Sequence, residues 1–396
     1  MPDSRRILRV VQAAITDLGL SLWLVGGGVR DLALGAPLHD LDLAVDGAVN
    51  ALIEALQARL PDAQVEDGGR FGTATIHVGA TRVDLARLRT ERYVSPGALP
   101  DVSPTRSMEK DLRRRDFSVN AMALGLAGER TGELVDPFDG MDDLAARRLR
   151  VLHDRSFVDD ATRLWRGART AALFRLTPDP TTARLIEEGG RWLEPISGER
   201  LQAEMGFTAR RGYAGRTLAL LHEWGVLTAM HPAFTLRPES GRALARRTGP
   251  LEPALLAAVL MAPLRQRRPV LDRVAAPREW RVAVEDTARL LDAAGASATP
   301  DTLRGLEGAV EVARTAARWL DPGQRALQAD LRRWERARAP LTAEALIREG
   351  VPPGPALGRT LRGLRRARYL GTLKSAADAR REVRRRLAAG EEWDDA

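Results

Sequence analysis

Leu22-Trp23-Leu24-Val25-Gly26-Gly27-Gly28-Val29-Arg30-Asp31, with Asp40-Leu41-Asp42-Leu43 just after it, decides how the rest of the chain is read. Four apolar residues run into three glycines, which predicts a strand, a tight turn and a short helix. The next apolar run predicts a second strand carrying two aspartates. In a strand, residues i and i+2 share a face, so Asp40 and Asp42 should project side by side. Paired carboxylates repel unless a cation lies between them, and hard oxygen donors of this kind suit Mg²⁺. The glycine turn opposite opens a helix, where free N–H groups favour phosphate. Gly26, Gly27 and Arg30 thus fit a triphosphate, and metal beside phosphate points to nucleotide chemistry.

On the N-terminal side, residues 5–18 carry Ile7, Leu8, Val11, Ile15 and Leu18 at helical spacing. Ala48 to Leu60 predicts a helix with Leu52, Ile53 and Leu56 on one face, stopped by Pro61. Residues 71–78 and 81–85 alternate about Gly79-Ala80 and predict a hairpin. Asp84 then lies on a strand of the same small sheet, either as a third carboxylate facing the metals or as a plain surface aspartate. Two metal ions shared by such carboxylates lower the pKa of an attacking hydroxyl and stabilise the leaving oxygen, the needs of nucleotidyl transfer. Asp40, Asp42 and Asp84 are the candidates for that role.

Tyr93 to Thr105, with Pro96, Gly97, Pro100 and Pro104, reads as a loop. Three adjacent cations, Arg113, Arg114 and Arg115, then precede Asp116 and Asn120 at the mouth of an apolar element, a placement useful beside phosphates. Asp136 to Gly140 reads as a turn, and Met141 to Val151 as helix or strand. From about Ser156 strand signals nearly vanish. Helical periodicity runs through Val158–Phe174, Thr181–Glu188, Gly198–Thr208, Gly215–Ala229 and most of the remaining chain, broken by prolines. The chain therefore reads as α+β, a mixed-sheet head followed by helices, with the turnover near residue 150.

Asp160 and Arg163 stand at i and i+3 in this first helical stretch, so they should be neighbours on one face. A carboxylate beside a guanidinium sets acceptors next to donors. Cytosine and adenine both present an amino donor next to a ring acceptor, whereas uracil and guanine present a carbonyl there. The pair is thus able to select C and A without a nucleic-acid template. The competing reading is an intrahelical ion pair worth about 0.3–0.5 kcal/mol. Arg166 lies one step further round. Arg169, nine residues from Asp160, is rotated by roughly half a turn at about 100° per residue.

With 396 residues the chain predicts more than one domain. It has no cysteine, which excludes disulfides and thiolate chemistry. No apolar run approaches the roughly 18 residues that span a bilayer, and the N-terminal residues lack the apolar core of a signal peptide. A cytoplasmic protein with no membrane partner is expected. The formal charge is +8, and Arg359 to Arg386 alone holds ten arginines and one lysine against Asp378 and Glu382. One basic segment carries the excess, as a phosphate-backbone contact surface would. Its candidate RNA contacts are Arg359, Arg362, Arg365, Arg366, Arg368 and Lys374. A solvated, arginine-rich helix is the plain alternative, since Lys110 and Lys374 are the only lysines.

Taken together and in order, these motifs resemble the class II tRNA nucleotidyltransferases (CCA-adding enzymes) and bacterial poly(A) polymerases of the polymerase-β superfamily. The matching stretches are Gly26 to Asp31 with Asp40-Leu41-Asp42, Arg114 to Ala121, Asp136 to Gly140, Asp159 to Arg163, and Glu199-Arg200-Leu201-Gln202-Ala203-Glu204. The resemblance covers about residues 20–235. It implies a polymerase-β-like head over 1–150, a helical neck for nucleotide selection over 151–210, and a helical body and tail for tRNA over 211–396. By it, Asp40 and Asp42 hold two Mg²⁺ ions, Gly27, Arg30 and Arg115 contact the nucleotide, and Asp116 lies near the ribose. Asp160 and Arg163 would be the amino-acid template, with Arg166 and Arg169 beside them on the incoming CTP or ATP. The partners implied are the 3′ end and elbow of tRNA.

The chain departs from the family pattern at three places. Asp159 stands where the template motif usually begins with Glu. Val94 to Pro100 replaces a basic segment found in many CCA-adding members, in a region that resembles the one used to switch from C to A addition. Val151 to Phe157 looks like a subgroup that includes A-adding members, without their accessory N-terminal domains. With only five histidines, no appended phosphohydrolase activity is expected. CC-only addition, A-only addition and polyadenylation are the rivals within the class. A small-molecule nucleotidyltransferase would share the glycines and paired aspartates but not Asp160/Arg163 or the basic segment. A non-catalytic RNA-binding protein would have no use for three carboxylates.

Overall fold

The computed structural model describes residues 2–36, 40–47, 49–59, 64–67, 72–78, 81–295 and 298–393. The chain opens α1 (Pro2–Asp17), β1 (Leu22–Val25), α2 (Gly27–Ala33), β2 (Asp40–Val45), α3 (Val49–Arg59), β3 (Gln64–Asp67), β4 (Thr73–Val78) and β5 (Thr81–Arg87). These elements match the predicted strand–turn–helix, the predicted helices and the predicted hairpin. With β8 (Ala123–Ala127) and β9 (Leu134–Val135) the strands form a seven-stranded sheet in the order β3-β4-β5-β2-β1-β8-β9. β2 and β5 run parallel, and the other described neighbours are antiparallel.

β1 has a neighbour on each edge and is buried along its length, which its unbroken Leu-Trp-Leu-Val reflects. On one face of the sheet Leu41, Leu43, Ile76 and Val83 pack against Ile7, Val11, Leu52 and Leu56 from α1 and α3. On the other face Trp23, Val25 and Ala44 pack with Leu88, Met108, Leu112 and Ala121. Strand alternation puts Asp42 on this second face with Ala44.

Residues 93–105 differ from the expected loop. β6 (Arg89–Arg92) pairs with β7 (Asp101–Pro104) as a separate two-stranded ribbon. Pro104 closes the strand at its end, so it removes no interior ladder bond. Next come α4 (Met108–Arg113), a 3₁₀ turn (Ser118–Asn120) that leads into β8, and α5 (Gly140–Ala145) with β10 (Arg148–Leu149).

Beyond residue 150 the described structure is helical apart from β11 (Thr177–Pro178), which pairs with β10. The predicted helix 158–174 is two helices, α6 (Ser156–Asp159) and α7 (Thr162–Phe174), because Asp160 turns extended at φ −145° and ψ 101°. α8 (Pro180–Gly189) and α9 (Gly198–Arg210) come after them. The predicted helix 215–229 is also two, α10 (Ala214–Glu223) and α11 (Val226–Met230), divided at Gly225, whose φ of +71° a helix cannot use.

α7 is seated on the head by Gly167. A Cβ there would stand 2.7 Å from the ring of buried Phe117. On α7's other side, buried Trp165 donates its indole N–H to Thr208 Oγ1 of α9 at 2.6 Å.

The chain divides into two compact units. The first holds residues 1–236, 247–250 and 268–275, and the second 237–246, 251–267 and 276–396. In the second are α12 (Pro238–Ala245), α13 (Pro253–Met261), α15 (Arg278–Asp292), α16 (Pro300–Leu306), α17 (Glu311–Leu320), α18 (Gln324–Arg336), α19 (Ala343–Arg348), α20 (Pro355–Leu370) and α21 (Ala376–Ala389). α14 (Arg267–Arg273) belongs to the first unit from Arg268 onward. The second unit builds one core around Leu290, Leu303, Leu331 and Trp334. A further core gathers Leu341, Leu346, Leu364 and Val383. Among the described residues no helix is long and apolar enough to cross a membrane.

Candidate active site

One cavity of about 770 Å³ in the first unit gathers groups from β2, the glycine turn and α2, the residues just after α4, and α7 and α9. That volume is at the upper end for small-molecule sites. It brings together Gly26, Gly27, Arg30, Asp42, Arg115, Asp116, Asp160, Arg163, Arg166 and Arg169, ten of the residues singled out from sequence.

The turn is built for close approach. Gly26 has φ +66°, and a Cβ on it would stand 2.6 Å from Arg115 Nη1. Its N–H is fixed by Met122 O at 3.1 Å. Arg30 donates to Asp31 Oδ1 at 2.7 Å and Asn120 Oδ1 at 2.5 Å, and its guanidinium lies 4.0 Å over the Phe174 ring. The cation is oriented by three groups before any ligand arrives.

Asp42 borders the cavity. It stands opposite Asp84 in the parallel β2–β5 register, which places the two carboxylates on one face. Asp84 Oδ1 accepts from Thr75 Oγ1 at 2.6 Å and from Arg82 Nη2 at 3.1 Å. Asp40 is the residue two before Asp42 on β2; its side chain lies outside the described residues. Among the described residues no three His, Cys, Asp or Glu converge as a ready metal cage. Even so, hard-oxygen donors on the central strand β2 and its neighbour β5, with Asp42 bordering the cavity, fit Mg²⁺ chemistry.

Asp116 is the buried hub, 5% exposed. It accepts from the Phe117 N–H at 2.9 Å, Asn120 Nδ2 at 3.0 Å and Arg166 Nε at 2.8 Å. Burial would raise its pKa, but Arg166 and these hydrogen bonds overcome it and hold the carboxyl well below the usual range. Asp116 in turn raises the pKa of Arg166. Arg115 donates to buried Asp111 at 3.1 Å, and its Nε is buried without a partner. Burial lowers the Arg115 pKa against the pull of Asp111.

The expected Asp160–Arg163 neighbours on one helix face are not what the fold makes. Because Asp160 precedes α7, its Oδ1 caps the turn, accepting from Thr162 N–H at 3.0 Å and Thr162 Oγ1 at 2.7 Å. The cation paired with it is Arg200 of α9, at 2.7 Å. Arg163, 4% exposed, instead donates to Ser156 Oγ at 3.0 Å and to the Arg114 carbonyl at 2.8 Å. It braces α6 and the end of α4. Arg169 pairs with Glu204 of α9, which explains how a residue half a turn from Asp160 reaches the same cavity.

Arg200 lies within the Glu199–Glu204 motif, where its sequence context alone assigns it no role; the structure shows its reach. Besides Asp160, it donates to the Gly97 carbonyl at 3.1 Å, so segment 94–100 is tied to the end of the cavity where Asp160 stands. Gly97 has φ +76°, and a Cβ there would stand 2.9 Å from Pro195. Nearby, Tyr93 donates to Glu91 at 3.1 Å, and burial with the charge of Glu91 pushes its pKa up to about 12.

In the second unit the basic segment is less free than its composition suggests. Arg359 pairs with Glu392, Arg365 with Glu307, and Arg366 with Asp301. Arg365 also lies 4.5 Å over Trp334, and Arg368 donates to the Lys374 carbonyl. Arg362 and Lys374 are exposed.

Residues 22–150 match the poly A polymerase head domain. Over 370 residues the chain is 33% identical to a CC-adding tRNA nucleotidyltransferase of Deinococcus radiodurans, covering 93% of this chain and 90% of that one. It is 30% identical to a CCA-adding enzyme of Lacticaseibacillus paracasei, covering 93% and 92%. The fold is that of a CCA-adding enzyme in an apo form, with TM-score 0.80, 24% identity and coverage of 98% and 96%. Likeness along nearly its full length to relatives of one kind makes the conclusion plain: the chain belongs to the tRNA nucleotidyltransferase family.

Proposed function

We propose that the protein extends the 3′ end of tRNA with C and/or A from CTP and ATP, without a nucleic-acid template. The terminal hydroxyl of the RNA attacks the α-phosphorus, a new phosphodiester forms, and the bond to pyrophosphate breaks. The observation that carries this reading is the single cavity in which strand carboxylate Asp42, glycine-turn residues Gly26 and Gly27, and selection residues Asp160 and Arg166 meet.

Each group has a role in this proposal. Gly26, Gly27 and Arg30 receive the triphosphate, Arg30 held ready by Asn120, Asp31 and Phe174. Arg115 adds a cation beside the turn. Asp116 fixes Arg166 and faces the sugar. Asp160 presents its carboxylate to the amino group of C or A, with Arg200 and Arg166 as donors beside it, while Arg163 holds the backbone that displays it. Asp40, Asp42 and Asp84 are the groups that would hold two Mg²⁺ ions. When bound, such ions supply activation of the hydroxyl and stabilisation of the leaving oxygen. Residues 1–150 would carry the chemistry, 151–210 the choice of nucleotide and 211–396 the grip on tRNA.

A second reading, addition of CC alone, is favoured by the tie between Arg200 and Gly97. The segment that resembles the family's C-to-A switching region has no basic residue between Val94 and Pro100, and through Arg200 it is bonded to Asp160's end of the cavity. The test offers tRNAs ending before the tail, after one C and after two, with each nucleotide, and sequences the products. Completed CCA ends support full addition. Products that stop at CC support the second reading. A-only products or long A tracts on unrelated RNAs would replace both, and no incorporation on any RNA would end the enzyme hypothesis.

A further inference from the structure

The cavity has an end that the nucleotide does not account for. Phe207, at the C-terminal turn of α9, is 44% exposed, and Tyr213, at the start of α10, is 38% exposed. Both line the cavity, together with Leu173 at 41%. Large apolar side chains left open to water in a cavity that also gathers many arginines and aspartates mark a surface that a ligand covers. Phe207 is two helical turns beyond Arg200, about 10 Å along α9 from the end that reads the incoming base.

Two features show that this surface is held in place. Tyr213 has φ +58° and ψ +20°, a left-handed conformation that side-chain-bearing residues rarely adopt. The preceding Gly212 has φ +75° and lies so near the Thr248 carbonyl that a Cβ would stand 2.8 Å from it. The backbone is thus turned against its own preference at the residue that carries the ring into the cavity. Phe207 is flanked by guanidinium groups, Arg169 at 5.7 Å and Arg210 at 5.6 Å from its ring centre. Rings beside arginines are how proteins hold single-stranded nucleic acid, a base on the ring and its phosphate on the cation.

Building on the function proposed above, we propose that Phe207 and Tyr213 form the platform on which the 3′-terminal base of the acceptor RNA stacks. The stack holds the RNA so that its terminal hydroxyl faces the nucleotide. Because every base has a π-face, the platform accepts a growing end whatever its last base, and leaves selection to the Asp160 end.

An acceptor RNA with 2-aminopurine as its last base tests this. Stacking quenches 2-aminopurine, so the wild-type protein should lower its fluorescence on binding. Tyr213→Ala and Phe207→Ala should lose the quench and raise the KM for acceptor about ten-fold, with the KM for CTP and ATP unchanged. Tyr213→Phe should behave as wild type. Tyr213→Gly relieves the backbone, so it should hold or raise Tm while still losing the quench, which separates stacking from folding. A raised nucleotide KM with an unchanged acceptor KM would place the incoming base on the platform and overturn the proposal, as would an undiminished quench in Tyr213→Gly. Failure of the wild-type protein to extend any RNA would instead overturn the function on which it rests.

Discussion

At the residue scale, Asp42 and Asp116 do different work with the same side chain. Asp42 stands in register with Asp84 at the cavity edge. Asp42→Asn should cut nucleotide incorporation by on the order of a thousand-fold, about 4 kcal/mol in the barrier, with an unchanged far-UV spectrum and Tm. Loss of Tm in step with activity would mark Asp42 as structural. Asp116 is buried and serves the fold as well as the site. Its pKa is depressed in the folded state, so it contributes stability above the ordinary aspartate pKa of about 4 and loses it as pH falls through the folded value. Asp116→Asn should therefore cost about 2 kcal/mol at neutral pH, by urea titration, and progressively less as the pH is lowered from about 4. The types and spacing of these residues were legible in sequence because strand alternation and glycine turns act over a few residues. The partner of Asp160 was not. Helical spacing pointed to Arg163, three residues away, but the chain leaves the helix at Asp160, and Arg200, forty residues on, takes the place.

At the element scale, local signals served where hydrogen bonding is local and failed where a neighbour overrides it. The β4–β5 hairpin and the strand before Gly26 followed their alternation and apolarity. The β6–β7 ribbon did not, because Pro100 and Pro104 read as loop residues while the prolines stand beside or at the end of the pairing. Between that ribbon's strands, segment 94–100 is hydrogen-bonded to α9 through Arg200. Arg200→Ala should make it cleavable by limited proteolysis at about Val94 to Leu99, and should change the ratio of C to A incorporated. Unchanged cleavage and unchanged choice would show that the tie to Gly97 is incidental. Arg163→Ala should relax nucleotide choice and slow turnover. Since it also strands Ser156 and the Arg114 carbonyl, it should destabilise the protein by about 2–3 kcal/mol, whereas Arg163→Lys should recover part of that stability. Unchanged C/A preference in a folded Arg163→Ala protein would make the arginine purely a brace.

For the whole molecule, charge has to be counted after folding. The excess of arginine between 359 and 386 was plain in the sequence. Its neutralisation was not, because Glu307, Asp301 and Glu349 come from other helices of the second unit. Substitutions at exposed Arg362 and Lys374 test RNA contact without removing the segment, which would also strip Leu364 and Val383 from their core. Arg362→Ala with Lys374→Ala should weaken tRNA binding and reduce the slope of log K against log salt by about 0.9 for each phosphate no longer neutralised. An unchanged slope would remove these residues from the RNA surface. Gly167 bears on the whole first unit in the same way, since there α7 rests on Phe117 with no space for even a methyl group. So close a joint holds α7 against the head at this point, and the proposed selection of the base by residues at the start of α7 would then work as one block with the sheet that bears the carboxylates. A change of nucleotide during successive additions then has to come from whatever travels past that block, the RNA end or segment 94–100. The selecting residues would stay put, like a fixed gauge along which the work advances.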